Sequence, residues 1–130
     1  MLNKGSEVFE NLQTRFPKSL KEKYANLKFT TSSSESDETN FPQINFQQVT
    51  AVEVGQDLSG ATMNGAQFTF HITVTDNESA SAVNEVMSAI VDIMKEMFFS
   101  MNQFPEIQND SGTYKSAARF TRVIGAGDVL

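Results

Sequence analysis

The sequence predicts a two-layer α+β domain, because two different hydrophobic periods follow one another with almost no linker between them. Apolar and polar residues alternate over residues 67–75, a period of two that is typical of a strand with one buried face. Over residues 82–99 the apolar residues recur at spacings of three and four, which is the pattern of one helix face. A strand that leads into such a helix buries both apolar surfaces when the helix folds back onto the sheet.

A short amphipathic helix is predicted over residues 6–15. Ser6 is a suitable N-cap, and Pro17 ends the helix. Its apolar face is formed by Val8, Phe9, Leu12 and Phe16. Residues 18–25 are expected to form a further helical turn or a basic loop, and residues 27–31 a short strand.

Two polar stretches are predicted to protrude from the domain. Residues 32–40 contain no apolar side chain and are expected to form an exposed loop. Residues 55–66 are punctuated by glycines, and Asn64-Gly65 favours a type I′ turn. We therefore expect them to form the tip of a long hairpin whose second arm is the strand at 67–75. The alternative for this stretch is a wide disordered loop.

The first arm of that hairpin opens after Phe41-Pro42 and has an irregular apolar pattern. Ile44 and Phe46 lie on one face, and the apolar parity shifts at Val49. Either a strand that is apolar on both faces or a bulge near Gln48 accounts for the shift.

The long helix and the last strand complete the fold. The helix is predicted over about residues 79–99, and alternation over residues 113–124 predicts the last strand after a loop at 102–112. Three residues before the helix are suitable N-caps: Asp76, Asn77 and Ser79. The chain, residues 1–130, is thus expected to be one α+β domain with a mainly antiparallel or mixed sheet of about four strands, one long helix and the short N-terminal helix.

The residue types present exclude most kinds of enzyme chemistry. The sequence has no cysteine, which excludes thiolate catalysis and cysteine-bound metals. Its single histidine, His71, lies between Thr69 and Thr73 in the strand alternation, with no carboxylate beside it to complete a catalytic pair. Neither a glycine-rich phosphate-binding loop nor calcium-loop spacing is present. We therefore expect a protein that is not an enzyme and that holds no metal or cofactor.

Sixteen acidic and ten basic residues give a net charge of −6. This charge argues against general attraction to nucleic acid or to an anionic membrane surface. The first residues lack the features of a signal peptide, and no apolar run is long enough to cross a membrane. We therefore expect a soluble protein made in the cytoplasm of its host.

The order and spacing of these elements resemble those of small tail terminator (tail completion) proteins of long-tailed bacteriophages, over roughly residues 6–124. The matching segments are Phe41-Pro42 at the start of the sheet, the strand Phe68–Thr75, the helix Ala82–Phe99 and Tyr114…Arg119-Phe120 in the last strand. The sequence differs at one point. The helix of that family often ends in a glycine before an aromatic residue, whereas Met97 leads into Phe98 here.

The resemblance implies a structural protein of the virion tail or neck, assembled in the host cytoplasm as a homo-hexameric ring. Such a ring binds the last ring of tail-tube protein and stops its polymerisation. It then presents a surface to the head-completion or connector protein. The resemblance implies no membrane partner and no sequence-specific nucleic acid, although DNA could pass through the ring.

Contacts in such an assembly are expected from protruding segments and from charged side chains. The candidates are Asp57, Leu58, Met63 and Asn64 of the hairpin, and Glu35, Asp37 and Glu38 of the loop. Arg119 and Arg122, which should lie on opposite faces of the last strand, are candidates for ion pairs between subunits. The alternative is that both arginines are ordinary surface charges.

Two other functions fit the sequence. One is a head–tail connector or neck protein, which would bind the portal side. The other is a small-ligand-binding α+β domain, which needs a closed apolar pocket with His71 as its polar anchor.

Overall fold

The computed structural model describes residues 5–25, 27–31, 42–53, 65–77, 79–103, 105–110 and 112–125. Within these ranges the helices are α1 (Gly5–Arg15), α2 (Lys18–Lys23) and α3 (Ala80–Glu96). The strands are β1 (Lys28–Thr30), β2 (Gln43–Glu53), β3 (Gly65–Asp76), β4 (Ser100–Gln103), β5 (Gln108–Asp110) and β6 (Thr113–Gly125). This architecture confirms the predicted α+β class, with its long helix and its short N-terminal helix.

The six described strands form one mixed sheet in the order β1-β2-β3-β6-β4, with β5 paired to β6 off this path. The β1–β2 pair is parallel, and the other pairs are antiparallel. Four strands were predicted, and the two further ones, β4 and β5, lie at or within the predicted 102–112 loop. They are four and three residues long and largely polar, so no apolar alternation marked them.

The core lies between one face of the sheet and the helices. Phe68, Phe70, Ile72 and Val74 of β3 point into it, together with Phe120 of β6 and the apolar face of α3. Helix α1 adds Val8 and Leu12, which are fully buried. Burial of each large side chain contributes about 1.5–3 kcal/mol, so the period-two face and the helical face seen in the sequence hold the two layers together. We call this side of the sheet the core face and the opposite side the outer face.

A bulge in β2 explains the irregular apolar pattern of that strand. The β2–β3 register shifts between Gln48 and Thr50, which leaves Val49 without a partner residue. Before the bulge Phe46 pairs with Ile72 on the core face, and after it the register continues with Thr50 opposite Thr69 and Ala51 opposite Phe68. The bulge alternative of the sequence analysis is therefore confirmed.

The β2–β3 pair is the predicted hairpin, with Glu53 opposite Ala66. Gly65 was expected in the turn, but it is the first residue of β3 and pairs with Gly125 of β6. Residues 54–64, which contain the rest of the expected tip, lie outside the described ranges, as does the 32–40 loop.

The junction between β3 and α3 is short, and the side chains of Asp76 and Ser79 bind backbone amides there. The Ser79 hydroxyl accepts a hydrogen bond from the Ala82 amide at 3.3 Å, so Ser79 is the N-cap. The carboxylate of Asp76, the last residue of β3, accepts from the Ser79 amide at 2.8 Å. These bonds satisfy donors that the helix start would otherwise leave unpaired.

Candidate functional site

Three polar side chains lie in one row across the outer face. Strand pairing places Gln47 of β2 opposite His71 of β3, and His71 opposite Arg119 of β6. The Arg119 Nε–H donates a hydrogen bond to Nδ1 of His71 at 3.2 Å. Because Nδ1 accepts, the neutral ring carries its proton on Nε2 and presents it as a donor. The sequence alternation placed His71 on the polar face, but it did not identify Arg119 as its partner.

The row favours an uncharged His71. Burial lowers the pKa of this histidine below its ordinary value of 6.5, and the nearby Arg119 guanidinium lowers it further. At neutral pH the row therefore offers the charge of one arginine, the Nε2–H donor of the histidine and the amide of Gln47. These groups can bind a carboxylate or an amide.

An open groove of about 830 Å³ runs from this row around β2 to the start of α1. Its apolar wall consists of Phe9, Phe46 and Val49, and Val49 is 43% exposed. The rings of Phe9 and Phe46 lie 5.1 Å apart, centroid to centroid. The polar part of the lining is Ser6, Thr31, Gln47, Gln48, His71 and Arg119. Because the β2 bulge leaves Val49 unpaired, it also brings that apolar side chain to the groove.

Arg119 is the one charged residue in the described lining of this groove, and it is exposed. Among the described residues, no carboxylate lies within ion-pair distance of it. Its hydrogen bond to a neutral histidine orients the guanidinium without neutralising it. The structure therefore leaves Arg119 able to pair with a carboxylate, which is the property that the sequence analysis expected of an inter-subunit residue.

A second unusual feature lies where α3 ends, next to the edge strand β4. The Phe99 amide donates to the Met94 carbonyl at 3.0 Å, and the Phe98 amide donates to the Lys95 carbonyl at 3.0 Å. These two bonds form a Schellman motif, in which the residue in the position of Phe98 adopts a left-handed backbone and is usually glycine. Phe98 has φ = 64°, the positive value that this position requires. Phe98 thus stands where a helix end usually has glycine, and its backbone is strained.

The Phe98 side chain is 78% exposed, although most of the described phenylalanines are buried or half-buried. Arg122 holds it in place: its guanidinium carbon lies 5.8 Å from the ring centroid, and its Nη1–H donates to the Met97 carbonyl at 2.8 Å. We call Met97, Phe98 and Arg122 the α3 corner.

The structure separates the two arginines as predicted. Arg119 lies on the outer face, whereas Arg122 lies opposite Phe68 and reaches the end of α3 on the core side. Arg122 therefore binds atoms of its own chain. The remaining candidates, Glu35, Asp37, Glu38, Asp57, Leu58, Met63 and Asn64, lie outside the described residues. Sequence reasoning did not select Phe98 or Gln47, and for Phe98 the absence of a helix-terminal glycine was the available signal.

Comparison of the sequence with protein-family models and with curated protein sequences found no match. Within the described ranges no group of three or more His, Asp or Glu side chains could hold a metal ion. No helix in this part of the chain is long and apolar enough to span a membrane.

Proposed function

We propose that this chain is a structural virion component, a ring-forming tail terminator. The ring would cap the tail tube, stop its polymerisation and offer the surface that joins the head. Catalysis plays no part in this role. The mechanism is geometric, because a ring can bind one end of a polymer while lacking the surface that adds the next layer.

The arrangement of the elements supports this proposal. Pro42, β3, α3 and β6 occupy the segments that carry the resemblance to tail terminators, and they form one continuous two-layer unit. The matching segments are therefore structural elements of the domain and not scattered loop sequences.

The observation that carries the proposal is that the sheet, as far as its residues are described, has two incompletely paired edges. In the described ranges β1 pairs with β2 only as far as Asn45, and β4 pairs with β6 only as far as Thr121. Beyond these residues, β2 and β6 each have a described strand neighbour on one side. Such edges are surfaces through which copies or partners can add to a sheet.

Negative-stain microscopy of the purified protein with its cognate tail-tube protein tests the proposal. We expect tubes of limited length with a ring at one end, and overlong tubes in a phage that lacks this chain. Tubes of unchanged length with bare ends would contradict the proposal. A ring that binds the portal side and leaves tube length unchanged would indicate the neck-protein function instead.

A pair of charge reversals tests the role of the outer face. Arg119→Glu should weaken attachment to the tube or to neighbouring subunits, because it removes the exposed cation of the groove. Lys115→Glu is the matched control, since Lys115 lies on the same face of the same strand, four residues away and outside the groove. Equal effects of the two variants would assign the change to net charge.

Small-ligand binding is a second candidate, and the groove is the observation that favours it. His71 is one of the lining residues of the groove, but the groove is open to solvent, whereas the ligand-binding hypothesis requires a closed pocket. A thermal-shift screen of small apolar carboxylates tests this function. A ligand that raises the melting temperature of the wild type but not of His71→Ala would favour it over the terminator.

A further inference from the structure

The α3 corner combines backbone strain with an exposed aromatic side chain. A left-handed φ is costly for a bulky residue, and glycine would form the same helix end without that cost. The Phe98 ring gains little from burial in its own chain, because it is 78% exposed. Strain of this kind, at a residue that makes few internal contacts, points to a function outside the monomer.

Arg122 contacts one face of the exposed Phe98 ring and so favours one orientation of the ring before any partner binds. Its bond to the Met97 carbonyl fixes the guanidinium, and the guanidinium lies over the Phe98 ring. Aromatic and arginine side chains are the residues most often found at the energetic centres of protein interfaces. A ring that is already oriented loses less rotational freedom on binding.

The same chain offers a surface that fits this anchor. Four large apolar side chains are exposed in the described ranges: Val49, Phe98, Ile107 and Val123. Val49 belongs to the groove, whose wall also includes the rings of Phe9 and Phe46. The groove therefore has one apolar wall with two aromatic residues, which can receive a phenyl ring.

One pair of residues, Glu96 beside the α3 corner and Arg119 in the groove, carries opposite charges. Glu96 lies two residues before Phe98, its side chain is 65% exposed, and its contact with Arg15 is 3.9 Å long. Of the residues that the structure describes around the groove, Arg119 is the one that carries a charge. Lys95 also lies at the end of α3, so the complementarity is that of a single ion pair and not of net charge.

The two surfaces are different parts of the chain. The α3 corner is at the β6–β4 side of the sheet, whereas the groove extends from Arg119 of β6 across the outer face to β2 and the start of α1. In the strand register Arg122 and His71 are about three residues apart along the strand direction, which is roughly 10 Å. A contact between two different surfaces of identical chains is head-to-tail, and it generates a ring where the rotation between copies closes.

We infer that Phe98 is the anchor of the contact between subunits, and that it inserts into the groove of a second copy of this chain. Glu96 of one copy then pairs with Arg119 of the next. This inference rests on the proposed function, because it names the contact that would close the ring.

Sedimentation of purified variants tests the anchor. The wild type should associate with rising concentration, and Phe98→Gly should stay monomeric over the same range with its circular dichroism spectrum unchanged. Ile107→Gly is the matched control, since it removes an exposed apolar side chain elsewhere on the surface. A wild type that never associates, or a Phe98→Gly variant that associates equally, overturns the inference.

Cysteine cross-linking tests the geometry, and the natural chain contains no cysteine to interfere. Lys95→Cys with Gln48→Cys places one thiol beside the α3 corner and another in the groove. Oxidation should produce a ladder of covalent oligomers. Lys95→Cys with Lys115→Cys should not, and an equal ladder in this control refutes the head-to-tail contact.

An assay of binding to tail-tube protein distinguishes a failure of the Phe98 contact from a failure of the proposed terminator function. If Phe98→Gly associates normally and caps tubes, the inference fails and the proposed function stands. If the wild type forms Phe98-dependent rings that ignore tail-tube protein, the inference stands and the terminator function fails.

Discussion

Replacement of Phe98 by alanine and by glycine isolates the backbone strain at the end of α3. Alanine keeps a β-carbon at φ = 64° and removes only the ring. Glycine removes the ring and also the steric cost of the left-handed backbone. Because both variants lose the contact with Arg122 equally, their difference in stability reports the strain, offset by the greater freedom of glycine in the unfolded chain.

The expected difference in stability between the two variants follows from two opposing effects. A left-handed conformation costs a non-glycine residue about 1–2 kcal/mol. Glycine also gains freedom in the unfolded chain, which lowers stability by about 0.4–1 kcal/mol relative to alanine. Phe98→Gly should therefore be more stable than Phe98→Ala by about 1 kcal/mol. Both lose an exposed cation–π contact of about 0.5–1 kcal/mol relative to the wild type.

Urea denaturation followed by circular dichroism measures this difference. The midpoint should rise from Phe98→Ala to Phe98→Gly with the slope unchanged. Gly112→Ala gives the converse control, since Gly112 has φ = +86° and an added β-carbon would meet no atom within 4 Å. That variant should lose about 1 kcal/mol through backbone strain. A Phe98→Ala variant as stable as Phe98→Gly would refute the strain argument.

Three further predictions concern other parts of the fold. Ser79→Ala should cost about 1 kcal/mol in urea denaturation, because it removes the N-cap of α3. An NMR titration of His71, the one histidine, should give a pKa below 6.5, and Arg119→Gln should raise it because a nearby positive charge is lost. Stability linked to this histidine is present above its unfolded pKa and falls as the pH drops below about 6.5. Hydrogen bonds from Lys23 and then Tyr24 lower the pKa of Glu85, so the stability it contributes is lost as the pH falls below about 4.5, and Glu85→Gln should reduce that dependence.

The sequence predicted the layers well, because their stability depends on apolar periodicity. The alternation around Phe70 and the helical spacing around Ile90 each describe one buried face, and the structure places both in the core. The shift at Val49 left two alternatives, a strand apolar on both faces or a bulge, and the structure has the bulge. The short strands β4 and β5 could not be predicted, since their residues are largely polar and they pair through the backbone with β6.

The candidate site was less predictable because it depends on pairing between distant strands. Arg119 and His71 are 48 residues apart in the chain, and the β3–β6 register brings them together. No local pattern fixes that register. The groove needs in addition the position of Phe9 in α1, which is set by packing against Phe46 and Phe29.

The contrast between the two arginines separates internal from external roles on one strand. Arg122 donates a hydrogen bond to the end of α3 and contacts the Phe98 ring. Its substitution should therefore change the stability of the fold and the orientation of Phe98 together. The Arg119 side chain hydrogen-bonds to a neutral histidine and makes no ion pair within the described ranges, so its charge can act on a partner at little cost to the domain. If the ring contact is correct, Arg119→Gln should lower association without loss of stability, whereas Arg122→Gln should lower both. A strand that alternates its side chains between two faces can thus support the monomer on one face and an assembly on the other.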